Sequence, residues 1–417
     1  MQPRAPRPHH RGALTRLLTG LALVGVLVPL AAGGASAQGT AAGAVTASGV
    51  GTEEIAAPAS GGRTIYVAVT GTDRVRRGDN YASRYVCLAK RMTDQDYCPA
   101  ATVNRPLRSV QAAVRSALPG DVLVVREGVY REAVGWGAVA ATSTKPIVLQ
   151  AYPGERAEVN GTLMLRKPSY WTVRGFHFTY NREVQGSGQA IVNLQGGTGW
   201  TFADNEVKDS PGVANIMITP GARSGSEAVR RAAGPRDYTI SGNCIHDNRG
   251  RHTHGMDHNI YLMAGIYSTG GLIERNLLAG APNGSQIKVA AAGAATAADS
   301  PRGVTIRKNT MLNSSTGVVV GLAAQWIRIE GNLVANQAGA GPYDAAVKGW
   351  ELKRADLVTV KGNLLAGYKQ AIREETGRFN RSANTVRGAV SYSGSIQQCT
   401  AVVADAGLRA QYGHAAR

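Results

Sequence analysis

VTIRKNTM (304–311), IRIEGNLV (327–334) and VTVKGNLL (358–365) align without a gap on one asparagine. The same frame recurs upstream in WTFADNEV (200–207), YTISGNCI (238–245) and GLIERNLL (271–278). The asparagines are Asn205, Asn243, Asn276, Asn309, Asn332 and Asn363, separated by 38, 33, 33, 23 and 31 residues, and WTVRGFHF (171–178) fits with Phe176 in the asparagine's place. A pattern returning every 20–50 residues or so marks a stacked repeat, in which one unit cannot bury its apolar face alone.

Each unit alternates apolar and polar residues before the asparagine and places two more residues after it, which predicts two short strands joined at a sharp bend. Asparagine tolerates the left-handed conformation such a bend needs, and stacked asparagines can hydrogen-bond along the axis, so these six residues are expected to form a structural ladder. A third strand follows in each unit: ANIMI (214–218), NIYLM (259–263), QIKVA (286–290), GVVVG (317–321), AVKGW (346–350) and AIREE (371–375). Three strands per unit predict an all-β parallel β-helix solenoid of about nine coils. Helices alternating with strands, which a doubly wound α/β fold needs, are absent from the pattern.

Outside the repeat, residues 1–37 read as a signal peptide: Arg4, Arg7, Arg11 and Arg16, an apolar run from Leu17 to Leu30, and Ala35-Ser36-Ala37 as the cleavage site. Residues 38–62 read as a flexible Ala/Gly/Ser/Thr linker, 63–390 as the β-helix domain and 391–417 as a tail covering its C-terminal end. No later run is long and apolar enough for a membrane anchor. The chain carries a formal +18, and removing the four leader arginines leaves +14. For a secreted, extracellular protein this favours acidic polysaccharide or cell-wall glycan as partner, rather than nucleic acid, unless it is an ordinary solvated surface. Four cysteines fit disulfides in an exported protein. Cys87 and Cys98 bracket a short polar loop and are expected to pair; Cys244 with Cys399 then follows by elimination, although four cysteines allow three connectivities.

Residues 109–118 form an amphipathic pattern with Ser109 as N-cap and Pro119-Gly120 as the stop. TIYVAVTGTD (64–73), PLRSVQAAVRSALPGDVLVVREGVYRE (106–132) and KPIVLQAYPGERAEVNG (145–161) together resemble the N-terminal segment of secreted right-handed parallel β-helix proteins of the pectate-lyase-like superfamily. The resemblance implies a right-handed solenoid whose N-terminal end is plugged by that helix. The closely spaced acidic calcium ligands of pectate lyases and the aspartates plus Gly-His of polygalacturonases are not found.

The stretch from Cys244 to Lys288 holds His246, His252, His254 and His258, half of the eight histidines. Taking Ile216, Ile260, Ile287, Val318, Val347 and Ile372 as inward, period-two alternation puts Met217, Tyr261, Lys288, Val319, Lys348 and Arg373 in one outward row. The residues before the inward ones, Asn215, Asn259 and Gln286 among them, are taken as outward too. This suits β-elimination on a uronic-acid polymer, with Lys288 as base, Tyr261, His254 or His258 as acid, and Arg307, Lys348 and Arg373 on the carboxylate; Asn259 and Gln286 would contact substrate. In the superfamily it resembles, polysaccharide lyases often use lysine or arginine as base.

Each residue has a plainer reading: a solvated lysine, a packed tyrosine, loop hydrogen bonding by the histidines. His252, His254, His258 and Asp257 could in principle ligate a divalent metal, but their spacing matches no named site and none is predicted. A glycoside hydrolase needs two facing carboxylates, for which Asp247 and Asp257 are the nearby pair, with Glu374 and Glu375 remote. A non-catalytic, monomeric glycan-binding β-helix is the other alternative.

Overall fold

The computed structural model describes residues 54–73, 102–135, 138–186, 190–250, 255–337 and 343–403. The leader, the start of the linker, Cys87, Cys98, His252 and His254 lie outside them. The chain winds into a parallel β-helix with three strands in each full coil. One face is an eleven-stranded sheet; the other two belong to a seventeen-stranded sheet that bends around a corner. Strands Leu277–Val289 and Thr310–Gly321 run unbroken round that corner, which is why the two faces share one sheet. Eleven strands on the first face exceed the nine coils expected, because the earliest rungs, such as Thr64–Val67 and Val122–Val125, carry no asparagine to count.

The inner columns are apolar on all three faces. Ile240, Ile273, Ile306, Ile329 and Val360 stack on the first, Ile245, Leu278, Met311, Val334 and Leu365 on the second, and Ile216, Ile260, Ile287, Val318 and Val347 on the third, all buried. Parallel pairing leaves such columns continuous, and each buried side chain contributes about 1.5–3 kcal/mol.

The bend between the first and second faces is held by asparagine amides. Asn309 Oδ1 accepts from Asn276 N (3.0 Å) and Nδ2 (2.9 Å), while its own Nδ2 donates to Ile273 O (2.9 Å) and Asn332 Oδ1 (3.0 Å). The same bonds repeat from Asn205 to Asn363 and continue to Asn384, a rung the repeat reading omitted. The left-handed residue is not the asparagine but the one before it: Asp204, Gly242, Arg275, Lys308, Gly331, Gly362 and Ala383 all have φ between 52° and 64°. The turn therefore separates two tasks, strain in one residue and hydrogen bonding in the next.

Helix Val110–Ser116 packs its buried face on the first rungs. Ser109 Oγ accepts from Ala112 N (3.1 Å), and Glu132 accepts from Val110 N (2.8 Å) and Gln111 N (3.0 Å), so its leading N–H groups are satisfied. Residues 54–62, expected as flexible linker, are instead fastened to the solenoid. Ala56 N donates to Gln150 Oε1 (3.1 Å), Ala59 N to Gly120 O (3.0 Å), and Arg174 Nη2 to Glu54 O (3.1 Å). Backbone groups with partners override a composition that reads as linker.

The tail is also placed differently from the expectation. Its described part turns back along the outside of the second face, where Ile396 and Ala401 cover Leu277, Ala279, Leu312, Leu333, Ala335, Leu364 and Ala366. The disulfide Cys244–Cys399, 155 residues apart, fixes it there. Apolar residues at nearly all outward positions of those strands, Thr310 excepted, explain the route, since this stripe needs a cover. Strands Asn380–Ser382 and Thr385–Arg387 of the last coil remain exposed.

Asn309→Ala leaves an N–H and carbonyls unpaired in a dry turn and is expected to cost about 3 kcal/mol, measured by denaturant unfolding. Asn384→Ala, at the open end, is expected to cost less than half as much; equal losses would show that the ladder is not what holds the bend. Reduction, or Cys399→Ser, should lower the melting temperature and open residues 390–403 to limited proteolysis, the chain-entropy ceiling for so long a loop being on the order of 5 kcal/mol. An unchanged cleavage pattern would count against the clasp.

Candidate active site

The strand register on the third face puts Met217, Tyr261, Lys288, Val319, Lys348 and Arg373 side by side in that order. Beside this row lies a cleft of about 520 Å³, lined by Lys288, His258, Ser285, Trp350, Asp344 and Arg373 among others. Lys288 and Lys348 are two rungs apart, roughly 10 Å.

Lys288 is 6% exposed. Its Nζ sits 5.0 Å from the Tyr261 ring centroid and 4.8 Å from that of Trp350. Burial pushes its pKa down to about 8. The two ring faces favour the ammonium, but no carboxylate bonds it among the described residues, so desolvation prevails and the neutral amine grows from a minor to a major form as pH rises through about 8.

His258 is buried, and burial together with Lys288 holds its pKa well below the ordinary value. Its Nδ1 accepts from Ser285 N (3.2 Å), which leaves that nitrogen bare, and Ser285 Oγ lies 2.8 Å from the same atom. In the neutral ring the proton is therefore on Nε2, a buried atom with no partner among the described residues. Gly284 permits this approach: a Cβ there would stand 1.5 Å from the Asp257 carbonyl. His258 is thus a neutral imidazole whose Nε2–H is buried in the cleft wall rather than an acid that titrates near neutrality.

Tyr261 serves differently from expectation. Its hydroxyl donates to Ala291 O (2.9 Å), and burial raises its pKa to about 12. The phenol is occupied; the ring faces Lys288 and meets His258 edge-on at 5.2 Å. Lys348 and Arg373 reach the cleft but share Asp344 at 3.2 and 2.9 Å, and each lies 3.4 Å from Glu375. Asp344 is buried enough to raise its pKa, but the hydrogen bonds from Arg373 and Lys348 bring it below the ordinary value.

Three expected contacts are not in the cleft. Asn259 and Gln286 are fully buried: Asn215 Nδ2 donates to Asn259 Oδ1 (2.7 Å), Asn259 Nδ2 to Gln286 Oε1 (2.5 Å), and Gln286 Nε2 to Leu312 O (2.7 Å). They form a second, shorter ladder, because alternation breaks at the bend entering the third face and both neighbouring residues turn inward. Arg307 stands on the first sheet, bonded to Glu274 at 2.7 Å. His254 is outside the described residues. Sequence reasoning misses Trp350, Asp344, Ser285 and Lys369, and Glu375, expected to be remote, lies against Lys348 and Arg373; Trp350 has a signal, lying two residues after Lys348 on the same side of AVKGW.

A second polar cluster occupies the outer side of the second face. Glu206 pairs with His177, Lys208 (2.6 Å) and His246 Nε2 (3.1 Å), while His246 Nδ1 meets Asp247 at 3.0 Å. Burial alone would lower the pKa of His246, but hydrogen bonds to Asp247 and Glu206 outweigh it and raise the value. Among the described residues the group with metal-ligand spacing is Cys244, His246 and Cys399, and its two sulfurs are joined to each other. Asp247 bonds His246, and Asp257 is buried at the start of its strand, so neither of the two carboxylates expected of a hydrolase lines the cleft.

No family model matches the chain. Pectate lyase PEL9 of Emericella nidulans is 26% identical over 113 residues, which is 27% of this chain and 25% of the relative, so the match spans a quarter of that protein's length. Among solved structures, XylC in complex with xylose superposes with a TM-score of 0.50 at 14% identity, covering 78% of this chain and 68% of the other. Pectate lyase Pel9A covers 81% and 74% with a TM-score of 0.37 at 13% identity.

The His246 cluster carries a pH signature. A histidine whose folded pKa is raised contributes stability that is full below the unfolded value, about 6.5, and lost as pH rises through the folded value. The melting-temperature advantage of the wild type over His246→Gln should therefore be largest near pH 6 and shrink at higher pH. An advantage that grows with pH would contradict the assignment.

Proposed function

We propose that this pectate-lyase-like parallel β-helix is a secreted carbohydrate-active enzyme that cleaves an acidic polysaccharide by β-elimination. The observation that carries this reading is Lys288, a buried amine with a pKa of about 8, set in a cleft beside a fixed imidazole N–H, an indole face and several cations. Similarity to a pectate lyase over part of the chain supports the substrate class. The leader pattern and the Cys244–Cys399 disulfide support export.

A uronate ring seated against Trp350 would place its carboxylate toward Arg373, Lys348 and Lys369. The neutral Lys288 amine removes the proton α to the carboxylate; the electron pair forms the new C=C bond as the C–O bond to the leaving sugar breaks. Arg373, Lys348 and Lys369 stabilise charge that develops on carboxylate oxygen before that bond breaks. The leaving oxygen takes a proton from the Lys288 ammonium, whose pKa suits it better than Tyr261 near 12 or His258, which is neutral here.

Lys288→Ala should abolish the ultraviolet absorbance of unsaturated uronide products, a loss of at least 10²–10⁴-fold or so, while leaving the melting temperature within a few degrees. Lys288→Arg, which keeps the charge but not the titratable amine, should fail as well. In the wild type, kcat/KM should rise with pH through about 8 as Lys288 loses its proton. A panel of uronate polymers yielding reducing ends without unsaturated products would point to hydrolysis instead.

A further inference from the structure

On another part of the molecule, Arg231, Arg236, Arg302, Tyr267 and Trp326 line a groove of about 420 Å³ that shares no lining residue with the Lys288 cleft. It follows the edge where successive coils enter the first sheet. Arg236 bridges Thr198 and Thr269 on the neighbouring rungs, and Arg302 pairs with Gln325, the residue before Trp326. The groove therefore crosses about four rungs, roughly 14 Å, the length of a short run of rings rather than of a single ion.

Its chemistry is unusual for a bare surface. Trp326 is 54% exposed and holds φ at 55°, a left-handed backbone that a bulky residue seldom adopts. The guanidinium of Arg302 lies 5.6 Å from the Trp326 ring centroid, and that of Arg231 lies 5.0 Å from the ring of Tyr267. Arg302 Nε is buried without a hydrogen-bond partner, and neither Arg302 nor Arg236 has a carboxylate partner among the described residues. Arg231 is held by Glu227 at 2.7 Å, and Arg236 Nη2 donates to the Arg231 carbonyl, so the groove keeps two guanidinium groups, Arg302 and Arg236, with no carboxylate partner among the described residues, beside an exposed indole.

We propose that this groove is a second binding site for acidic glycan, separate from the cleft, which seats one uronate ring on Trp326 and takes carboxylates on Arg302 and Arg236. The sugar offers an apolar C–H face to the indole, and its planar carboxylate matches the guanidinium fork in bidentate geometry. Single-stranded nucleic acid also uses aromatic and cationic grooves; carboxylated sugar is favoured because the groove has one open indole face, whereas a strand stacks successive bases. The ligand class rests on the proposed function, but the site does not depend on catalysis.

The test uses the full chain carrying Lys288→Ala, titrated by calorimetry with hexameric oligogalacturonate and oligomannuronate, and with cellohexaose and a single-stranded hexadeoxynucleotide as controls. Two sites are expected for one of the uronates. Trp326→Ala and Arg302→Gln should each weaken one of them about tenfold and leave the other, which Trp350→Ala removes in turn. Arg302→Lys, keeping charge without the fork, should fall between. Wild-type affinity in both Trp326→Ala and Arg302→Gln, checked for an unchanged melting temperature, would overturn the proposal, as would equal affinity for cellohexaose or the oligonucleotide. If no uronate polymer is turned over but the Trp326-dependent site is found, the lyase assignment falls and the groove stands.

Discussion

At the turn between the first and second faces, a single side-chain amide replaces the partners that the bend takes from the backbone. Asn243, Asn276, Asn309 and Asn332 each accept from the backbone N–H of the asparagine one rung before and donate both to a backbone carbonyl and to the next asparagine. In a buried turn each such group left alone costs about 1–3 kcal/mol, so every rung needs its asparagine in the same place. The spacing along the sequence can then vary while the spacing in space cannot.

That fixed rung is what positions the chemistry. Once each turn is pinned, Ile260, Ile287, Val318 and Val347 come into register on the third face, and the residue after each stands in the outward row that includes Tyr261, Lys288 and Lys348. The lengths of the segments between turns need not follow the repeat. Asp344, the residue before strand Ala345–Trp350, joins Lys348 and Arg373 at the cleft.

The solenoid and the outward row were legible in the sequence because both follow from periodicity anchored on one residue type. What was not legible lay where periodicity fails. Asn259 and Gln286 sit at a corner, where neighbouring residues both turn inward, so alternation assigned them to the wrong side. Arg307 was grouped with the cleft by charge, although its strand belongs to another face. Asp344 and Glu375 were invisible as partners because an ion pair across rungs has no sequence spacing of its own. The tail's path depended on recognising Leu277, Leu312, Leu333 and Leu364 as an outward apolar stripe, and in a strand with both sides apolar the pattern does not say which side needs a cover.

The distribution of carboxylates separates the cleft's cations by role. Lys348 and Arg373 are held by Asp344 and Glu375, which fixes their geometry and tempers their field. Lys288 stands between two aromatic rings with no carboxylate bonded to it among the described residues. A lysine buried with an acid keeps its proton, whereas one buried against ring faces alone feels desolvation opposed only by weak quadrupole attraction, about 0.5–2 kcal/mol per ring. A structural lysine in so dry a position would be stabler with a carboxylate beside it, as Lys208 has in Glu206. Asp344 and Glu375 bind the lysine two rungs further on instead, so the desolvation of Lys288 is answered by no carboxylate among the described residues.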